Sequence, residues 1–282
     1  MLTIIGTVPL PENIYMGEAA FDSSSLKVGG ALMPIGRGTG ALIAAALKVL
    51  EQFGNEKPYC LLAGDSVSGA GSRRLLEETA RFLPISETET LVFHYMFVML
   101  KYGPIIGDAL RKIPSKPYVI ADAGGMYMAK AGGIARLCDV FTPDHGELAF
   151  LADSKVAHPM YTKPELLSYP DETLTKMASE EGNIPQTLVV KGKSDLIFTG
   201  GCLSNRVDEP SIPAMEAIGG TGDTVTGMLA ALQHLKVKDS IYKSLVLNRL
   251  VGQITGCTPR TQINEFIKHL DLSLLKEVGI SL

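Results

Sequence analysis

The alternation of short apolar runs with longer helix-forming stretches constrains this chain more than any other feature of its sequence. Most of the runs are apolar throughout, which is typical of strands that are covered by helices on both faces. A strand–helix–strand order repeated in this way predicts a mostly parallel sheet between two layers of helices. The predicted strands are residues 3–8, 31–35, 59–63, 91–95, 118–121, 140–142, 188–191 and 196–199.

Helices are predicted between these strands, and after Thr221 the pattern contains helices only. The last two strands are predicted to form an antiparallel hairpin at the edge of the sheet, and the proline-containing residues 153–171 a long surface loop. Nothing marks a domain boundary, so residues 1–282 are predicted to form a single domain. The predicted helices are residues 40–52, 68–82, 107–112, 126–137, 146–152, 221–235, 240–256 and 261–270.

Composition narrows the class of partner. The 282 residues are 46% hydrophobic and carry a formal net charge of −4, so they can bury a core and offer no basic field to nucleic acid or an anionic membrane. The four cysteines are far apart and are expected to be reduced thiols. The longest apolar run, residues 90–100, is too short to cross a bilayer. We expect a cytoplasmic protein that binds small molecules, either as a monomer or as a homo-oligomer.

The strongest local motif is Gly219-Gly220-Thr221-Gly222-Asp223, which stands directly before an amphipathic helix. The free N–H groups and the dipole of a helix start attract anions, and glycines let the backbone approach a phosphate closely. Asp223 either complements the dipole or takes a proton from a hydroxyl that attacks a phosphate. Its place beside the glycines favours the second interpretation.

A second acidic pair, Asp144 and Glu147, stands at the start of another predicted helix, just after a strand. Residues that follow the carboxyl ends of strands line the ligand crevice of an open α/β sheet. Two carboxylates three residues apart either hold Mg²⁺ or form a capping box at the helix start. Taken without other context, the residues favour the capping box.

Three weaker signals lie at other strand ends. Asp122 and Lys191 each end an apolar strand, and the lysine could reach a phosphate as a point charge. The stretch Gly36-Arg37-Gly38-Thr39-Gly40-Ala41 is either a second phosphate-binding turn, with Arg37 supplying charge, or an ordinary glycine turn. Three histidines lack metal-ligand spacing and are expected to be core or surface residues, namely His94, His145 and His158.

Together, and in this order, the motifs resemble the ribokinase-like superfamily. The matching pieces are the Asp122 strand end, Thr142-Pro143-x-x-Gly146-Glu147, Lys191-Gly192 and Gly220-Thr221-Gly222-Asp223. They are most similar to the carbohydrate-kinase-like NAD(P)H-hydrate dehydratases, which repair hydrated nicotinamide cofactors. The resemblance runs over residues 118–235 and reaches more thinly to residues 28–50. Asp144-His145 stands where that family has His-Pro, which leaves the substrate more open than the nucleotide chemistry.

The resemblance implies a ribokinase-like three-layer α/β/α sandwich with a mostly parallel central sheet. It also implies Mg²⁺ and an ATP- or ADP-dependent reaction on hydrated NAD(P)H or a small alcohol. In the dehydratases a hydroxyl is phosphorylated and phosphate then leaves, whereas the kinases release the phosphorylated product; both stay open. A catalytically silent nucleotide-binding protein is a third alternative, against which the intact glycine turn with Asp223 argues.

The same resemblance implies roles for individual residues. Asp223 is implied as the catalytic base and Glu147 as the residue that positions Mg²⁺. The residues implied to bind the nucleotide and its phosphates are Gly219, Gly220, Thr221, Gly222, Lys191 and Gly192. The residues implied to bind the substrate are Gly36, Gly38, Thr39, Gly40, Asp122, Asp144 and His145.

Overall fold

A nine-stranded sheet forms the centre of the protein. The computed structural model describes residues 1–54, 56–65 and 68–280. The strands are β1 (Leu2–Val8), β2 (Ile14–Glu18), β3 (Ala20–Asp22), β4 (Ser25–Val28), β5 (Ala31–Pro34), β6 (Tyr59–Gly64), β7 (Thr90–Phe93), β8 (Tyr118–Ala121), β9 (Val140–Phe141), β10 (Thr187–Val190), β11 (Asp195–Thr199) and β12 (Cys202–Val207). Their order in the sheet is β12-β11-β10-β9-β8-β7-β1-β6-β2, and β3, β4 and β5 form a separate antiparallel sheet.

The inner strands of the large sheet run parallel, and the remaining strands pair antiparallel at its two edges. Parallel pairing connects β10, β9, β8, β7, β1 and β6 in turn. The strand β2 pairs antiparallel with β6, and β11 pairs antiparallel with both β10 and β12. The predicted mostly parallel sheet is therefore confirmed.

Helices cover both faces of the sheet. They are α1 (Thr39–Glu51), α2 (Ala70–Phe82), α3 (Tyr102–Arg111), α4 (Gly124–Ala131), α5 (His145–Ala152), α6 (Asp171–Glu180), α7 (Thr221–His234), α8 (Ser240–Thr255), α9 (Ile263–Lys268) and α10 (Leu272–Glu277). One hydrophobic core joins the sheet to α1 and α7–α10, and the other joins it to α2–α6. Among the helices so described, none has both the length and the hydropathy to span a membrane.

Side-chain alternation along the strands explains the two cores. Ile4 of β1 packs in one core and Ile5 in the other, and Val92 and Phe93 of β7 divide in the same way. Successive side chains of a strand point to opposite faces, so a strand that is apolar throughout needs cover on both sides. The three-layer α/β/α arrangement that the apolar runs predict is confirmed.

The helices α1 and α7 lie unusually close together, which fixes where α7 begins. Gly227 makes this possible, because a Cβ at that position would stand 2.2 Å from the carbonyl oxygen of Leu42. Hydrophobic alanines of α1, from Ala41 to Ala46, are fully buried against the sheet and α7. The start of α7 is thereby held beside the carboxyl ends of the central strands.

Several predicted elements need correction. The predicted strand 31–35 belongs to the separate three-stranded sheet, and the predicted hairpin is not the sheet edge because β12 lies outside it. The helix predicted over 107–112 begins five residues earlier, at Tyr102, and the one predicted over 126–137 ends at Ala131. The proline-containing loop over 153–171 holds two short 3₁₀ turns, and α6 follows it unpredicted.

The missed elements share a cause. The strands β2, β3, β4 and β12 are short or largely exposed, so they carry no continuous apolar run. Helix α6 is rich in polar residues and buries only Leu174, Thr175 and Ala178. A pattern based on hydrophobicity cannot distinguish such segments from loops.

Candidate active site

A cavity of about 590 Å³ opens at the carboxyl ends of β8, β9 and β10, where the start of α7 meets them. Adjacent parallel strands end at one edge of the sheet, so the residues that directly follow them gather there. The polar residues that line this cavity are Tyr95, Asp122, Asp144, His145, Glu147, Lys191, Asp195, Glu216, Thr221, Asp223 and Asn248. Most of the predicted polar site residues are therefore brought together.

The start of α7 forms a backbone cradle. Gly220 precedes the helix with φ 111°, a left-handed conformation that favours glycine, and no side chain caps the helix. Among residues 1–54, 56–65 and 68–280, the amide N–H groups of Gly222 and Asp223 donate to no acceptor. Free N–H groups at a helix start are suited to bind an anion.

Asp223 does not cap its own helix. One carboxylate oxygen, Oδ2, accepts a 2.7 Å hydrogen bond from the N–H of Gly38, and the other, Oδ1, lies 3.0 Å from Nε2 of His94. Burial by itself would raise the pKa of Asp223, but the hydrogen bond and charge of His94, together with Lys191 and the Gly38 N–H, hold that pKa below its ordinary value. Asp223 is thus an ionised carboxylate at the cavity wall, with its side chain 12% exposed.

Beneath the cradle lies a buried ion pair. The ammonium of Lys191 is 2.9 Å from Oδ1 of Asp122, whose carboxylate also accepts hydrogen bonds from the hydroxyl of Thr226 and the N–H of Ala123. Burial would lower the pKa of Lys191, but Asp122 and Glu147 raise it above its ordinary value. With Asp122 only 1% exposed, the geometry favours a role in holding Lys191 over direct contact with substrate.

Asp144 and Glu147 form the capping box that the residues alone favour. Oδ1 of Asp144 accepts from the N–H of Glu147, and Oε2 of Glu147 accepts from the N–H of Asp144. The other oxygen of Glu147 accepts from the hydroxyl of Tyr127 at 2.7 Å. Burial, only partly offset by Lys191 and reinforced by Asp122 and Asp144, raises the pKa of Glu147 to about 7.

Excess negative charge on this side of the cavity fits a cation. Carboxylates of Asp144 and Glu147 both line the cavity, and burial first, then Asp122 and Asp144, raise the pKa of Glu147 against the opposite effect of Lys191. Oxygen ligands of this kind suit Mg²⁺. The side chains of His94, Asp122 and Asp223 also offer atoms within 4.8 Å of one another, but Lys191 already neutralises Asp122 there.

The predicted glycine loop before α1 lies behind Asp223. Gly38 donates its N–H to Asp223. The hydroxyl of Thr39 forms hydrogen bonds with the carbonyl of Thr7 and with the ring of His94. Gly36, Gly38, Thr39 and Gly40 do not line the cavity. The aliphatic part of Arg37 packs beside Gly219, so this loop and the cradle touch.

Two further predicted residues help to shape the cavity. His145 lies at the rim, where Nδ1 is 2.7 Å from a carboxylate oxygen of Asp171 and Nε2 is 2.9 Å from the carbonyl of Leu167. The hydrogen bonds to Asp171 and to that carbonyl raise the pKa of His145. Gly192 accepts a hydrogen bond from the buried Arg249, which also pairs with Asp195.

Sequence reasoning missed six residues of this site, including the cavity-lining acids Asp195 and Glu216. The predicted strand 91–95 includes His94 and Tyr95, so the strand-end argument passed over them; β7 ends at Phe93, directly before both. Tyr127 reaches Glu147 from α4, and Asn248 reaches the backbone of Thr221 from α8. No local signal marks the last two, because only tertiary packing brings their helices to the cavity.

Comparison with known proteins places this chain in a family. The sequence model of the carbohydrate-kinase family, described as NAD(P)H-hydrate dehydratase, matches residues 103–255. An uncharacterised protein of Methanocaldococcus jannaschii is 34% identical over 237 residues, which cover 83% of this chain and 98% of that protein. A bifunctional NAD(P)H-hydrate repair enzyme of Methanothermobacter thermautotrophicus is 32% identical over 85 residues, 29% of this chain and 16% of that enzyme.

Solved structures agree on the fold. An ADP/ATP-dependent NAD(P)H-hydrate dehydratase from Bacillus subtilis, co-crystallised with ATP and Mg²⁺, has a TM-score of 0.56 and 17% identity, over 98% of this chain and 91% of its own. A phosphofructokinase-2 variant from Escherichia coli has a TM-score of 0.55 and 13% identity, over 99% of both chains. The ribokinase-like fold implied by the motifs is confirmed, and the chain belongs to the carbohydrate-kinase family described as NAD(P)H-hydrate dehydratase.

Proposed function

We propose that this protein is an ATP- or ADP-dependent NAD(P)H-hydrate dehydratase. The observation that carries the proposal is the position of Asp223, an ionised carboxylate directly beside the free N–H groups of the α7 cradle. A transferring phosphate bound by those groups would lie next to an acceptor for the hydroxyl proton. We also propose that residues 1–282 act as one domain, which the sharing of one sheet by β1 and β12 supports.

In the proposed reaction, Asp223 accepts the proton of a substrate hydroxyl, and the oxygen's electron pair forms a bond to the terminal phosphorus of the nucleotide. The bond to the leaving nucleotide breaks, and its electrons stay on the shortened nucleotide. The N–H groups at the start of α7 would stabilise the charge of the transferring group, and Lys191 would add positive charge beneath it. Phosphate then leaves with the electrons of the carbon–oxygen bond, and loss of a neighbouring proton restores the ring double bond.

Mg²⁺ is part of this proposal, and Glu147 with Asp144 would hold it, directly or through water. When bound, the ion neutralises charge on the phosphates of the nucleotide. The surplus negative charge around Glu147 supports this assignment. The capping box does not compete with it, because a carboxylate oxygen has a second lone pair for another partner.

Glu147→Gln should remove a pH-dependent loss of stability. In the metal-free wild type the folded pKa of Glu147, about 7, lies above the unfolded value, so its stabilising contribution is complete below the unfolded pKa and is lost as pH rises through 7. We expect the variant to gain about 1–2 kcal/mol relative to wild type between pH 5 and pH 8, by urea unfolding. Mg²⁺ at pH 8 should stabilise the wild type more than the variant.

Glu180→Gln is the matched control, because Glu180 is an exposed carboxyl on α6. Its difference from wild type should not change over the same pH range. If the stability of the Glu147→Gln variant and of the wild type depended on pH in the same way, this would contradict the raised pKa of Glu147. An equal response to Mg²⁺ would leave Glu147 as a helix cap only.

A small-molecule kinase of the same fold is the second candidate. The likeness to phosphofructokinase-2 over 99% of both chains favours it, as does the Asp144-His145 pair that departs from the family's sequence. Both candidates use Asp223 and the cradle in the same first step. They differ only in whether the phosphorylated product is released or loses phosphate.

One experiment separates the candidates. The purified protein is incubated with hydrated NADH, Mg²⁺ and either ATP or ADP, while NADH absorbance and released phosphate are followed together. A dehydratase should give equal amounts of NADH and phosphate with at least one nucleotide. A kinase should consume nucleotide only with its own alcohol and release no phosphate. Nucleotide binding without turnover of hydrated NADH or of any alcohol tested would favour a silent binding protein.

A further inference from the structure

A buried chain of hydrogen bonds leads from the sheet to Asp223. The hydroxyl of Thr39 donates to the carbonyl oxygen of Thr7 at 2.7 Å and lies 2.9 Å from Nδ1 of His94. On its other side, Nε2 of His94 lies 3.0 Å from Oδ1 of Asp223. His94 has no exposed surface, so water cannot replace any of these partners.

The directions of these bonds determine where the protons are. The carbonyl of Thr7 can only accept, so the single hydroxyl proton of Thr39 is used there. Thr39 must then accept from Nδ1 of His94, and Nδ1 carries a proton. The Gly38 N–H, 2.7 Å from Oδ2, and the nearby Lys191 ammonium stabilise Asp223 as a carboxylate, so Oδ1 accepts and Nε2 carries a proton as well. The ring of His94 is therefore the cation that faces the Asp223 carboxylate.

The surroundings restrict the ring of His94. Asp122, which is itself paired with Lys191, lies 3.9 Å from Nε2 of His94, and the ring of Tyr95 packs at 82° to that of His94 with centroids 4.6 Å apart. Gly6 of β1 faces the same group, and a Cβ there would stand 3.0 Å from the hydroxyl of Thr39 and 3.4 Å from Cβ of His94. A strand residue other than glycine would crowd the side chain of Thr39, which the ring of His94 contacts.

We propose that His94 is a positioning residue that carries a proton on each ring nitrogen and fixes the orientation of the Asp223 carboxylate toward the cavity. The effect of this positioning on catalysis rests on the proposed function, in which Asp223 accepts the hydroxyl proton. His94 neither gains nor loses a proton in that step. The ring of His94 and the Gly38 N–H each use a lone pair of the Asp223 carboxylate, so the directions of its remaining lone pairs are fixed. Phosphoryl transfer depends mainly on such positioning, because little covalent chemistry is left for the protein.

The ring protons can be measured directly. We expect nitrogen-15 NMR of the full-length protein, labelled in histidine, to show protons on both ring nitrogens of His94 at neutral pH. In Asp223→Asn, the side-chain oxygen should stay on the Gly38 N–H and the amide should donate to Nε2. His94 should then become neutral, with its only proton on Nδ1. A wild-type ring with one proton, or no change in the variant, would overturn the proposal.

Two substitutions of His94 test its effect on Asp223. Gln places an amide near the former Nε2 and keeps a donor to Asp223, whereas Asn reaches only the former Nδ1 and leaves Asp223 without that donor. We expect kcat to fall by roughly 10-fold in His94→Gln and by ~10²-fold or more in His94→Asn, with nucleotide Kd unchanged in both. Equal losses in the two variants would indicate a packing role and contradict the proposal.

His234→Gln is the control, because His234 is also buried on the same protein but pairs with Glu56 at the far end of α7. It should keep wild-type kcat. If the wild type converts no substrate under any condition, the proposed function fails, and the ring-proton measurement alone decides the role of His94. If the wild type is active but His94 carries one proton, only the inference about His94 fails.

Discussion

Asp223→Asn should lower kcat by ~10²-fold or more, while nucleotide Kd stays equal or becomes smaller. The substitution keeps the size of the side chain and its acceptor for the Gly38 N–H, but removes the group that accepts the hydroxyl proton. It also removes a negative charge next to the cradle where phosphate is proposed to bind. Steady-state kinetics with both nucleotides and a binding titration measure the two effects separately.

Asp271→Asn provides the matched control for helix capping. Asp271 caps α10, where its carboxylate accepts a 3.0 Å hydrogen bond from the N–H of Leu274. Its loss should cost about 1 kcal/mol or less and leave kcat unchanged. Near-normal kcat in the Asp223→Asn variant would contradict its role as base, whatever happens to its melting temperature.

The ends of the buried strands are the positions that the sequence predicts best. Apolar runs predicted β1, β6, β7, β8, β9, β10 and β11 to within two residues at either end, and the parallel order then brought their carboxyl ends to one edge. Asp122, Lys191 and Glu147 consequently gather around one cavity, as the motifs imply. Local sequence determines these positions because a buried strand and the residue after it need no distant information.

Roles within the site depend on contacts that no motif encodes. Asp122 was expected to face substrate or metal; it lines the cavity, and its carboxylate also accepts hydrogen bonds from Lys191, Thr226 and the N–H of Ala123. Substrate binding by the glycine loop before α1 stays a prediction, and the structure adds that Gly38 donates its N–H to Asp223. Both depend on side chains far apart in the sequence, so only the folded chain determines them.

His94 illustrates why a negative argument from spacing is weak. Its spacing gives no metal-ligand motif, and of the two places expected for it, core or surface, the structure shows the core. Although buried, His94 lies at the site, because β7 ends directly before it and Asp122, which follows the neighbouring strand β8, is 3.9 Å from its ring. A buried polar residue needs partners, and here one partner is the proposed base.

The largest expected loss of stability comes from breaking the Asp122–Lys191 pair. Lys191→Met leaves the Asp122 carboxylate, 1% exposed, with its hydrogen bonds and the more distant ring of His94, 3.9 Å away, but without the ammonium that pairs with it. Removing one partner of a buried pair costs about 3–5 kcal/mol, because the remaining charge stays buried. In Asp122→Asn the hydrogen bonds to Thr226 and Ala123 can persist, and the Lys191 ammonium can turn toward the cavity, so we expect a loss of about 1–2 kcal/mol.

The double variant decides whether this loss comes from the unpaired charge. Asp122→Asn combined with Lys191→Met removes both charges of the pair, so its loss in free energy of unfolding should be smaller than the sum of the single losses by about 2 kcal/mol. Lys116→Met is the control, because Lys116 is largely exposed in its pair with Asp139 and should cost less than about 1 kcal/mol. Urea unfolding of the four variants measures the coupling. Additive losses would show that Lys191 and Asp122 act on stability independently, and that the ion pair between them does not stabilise the fold.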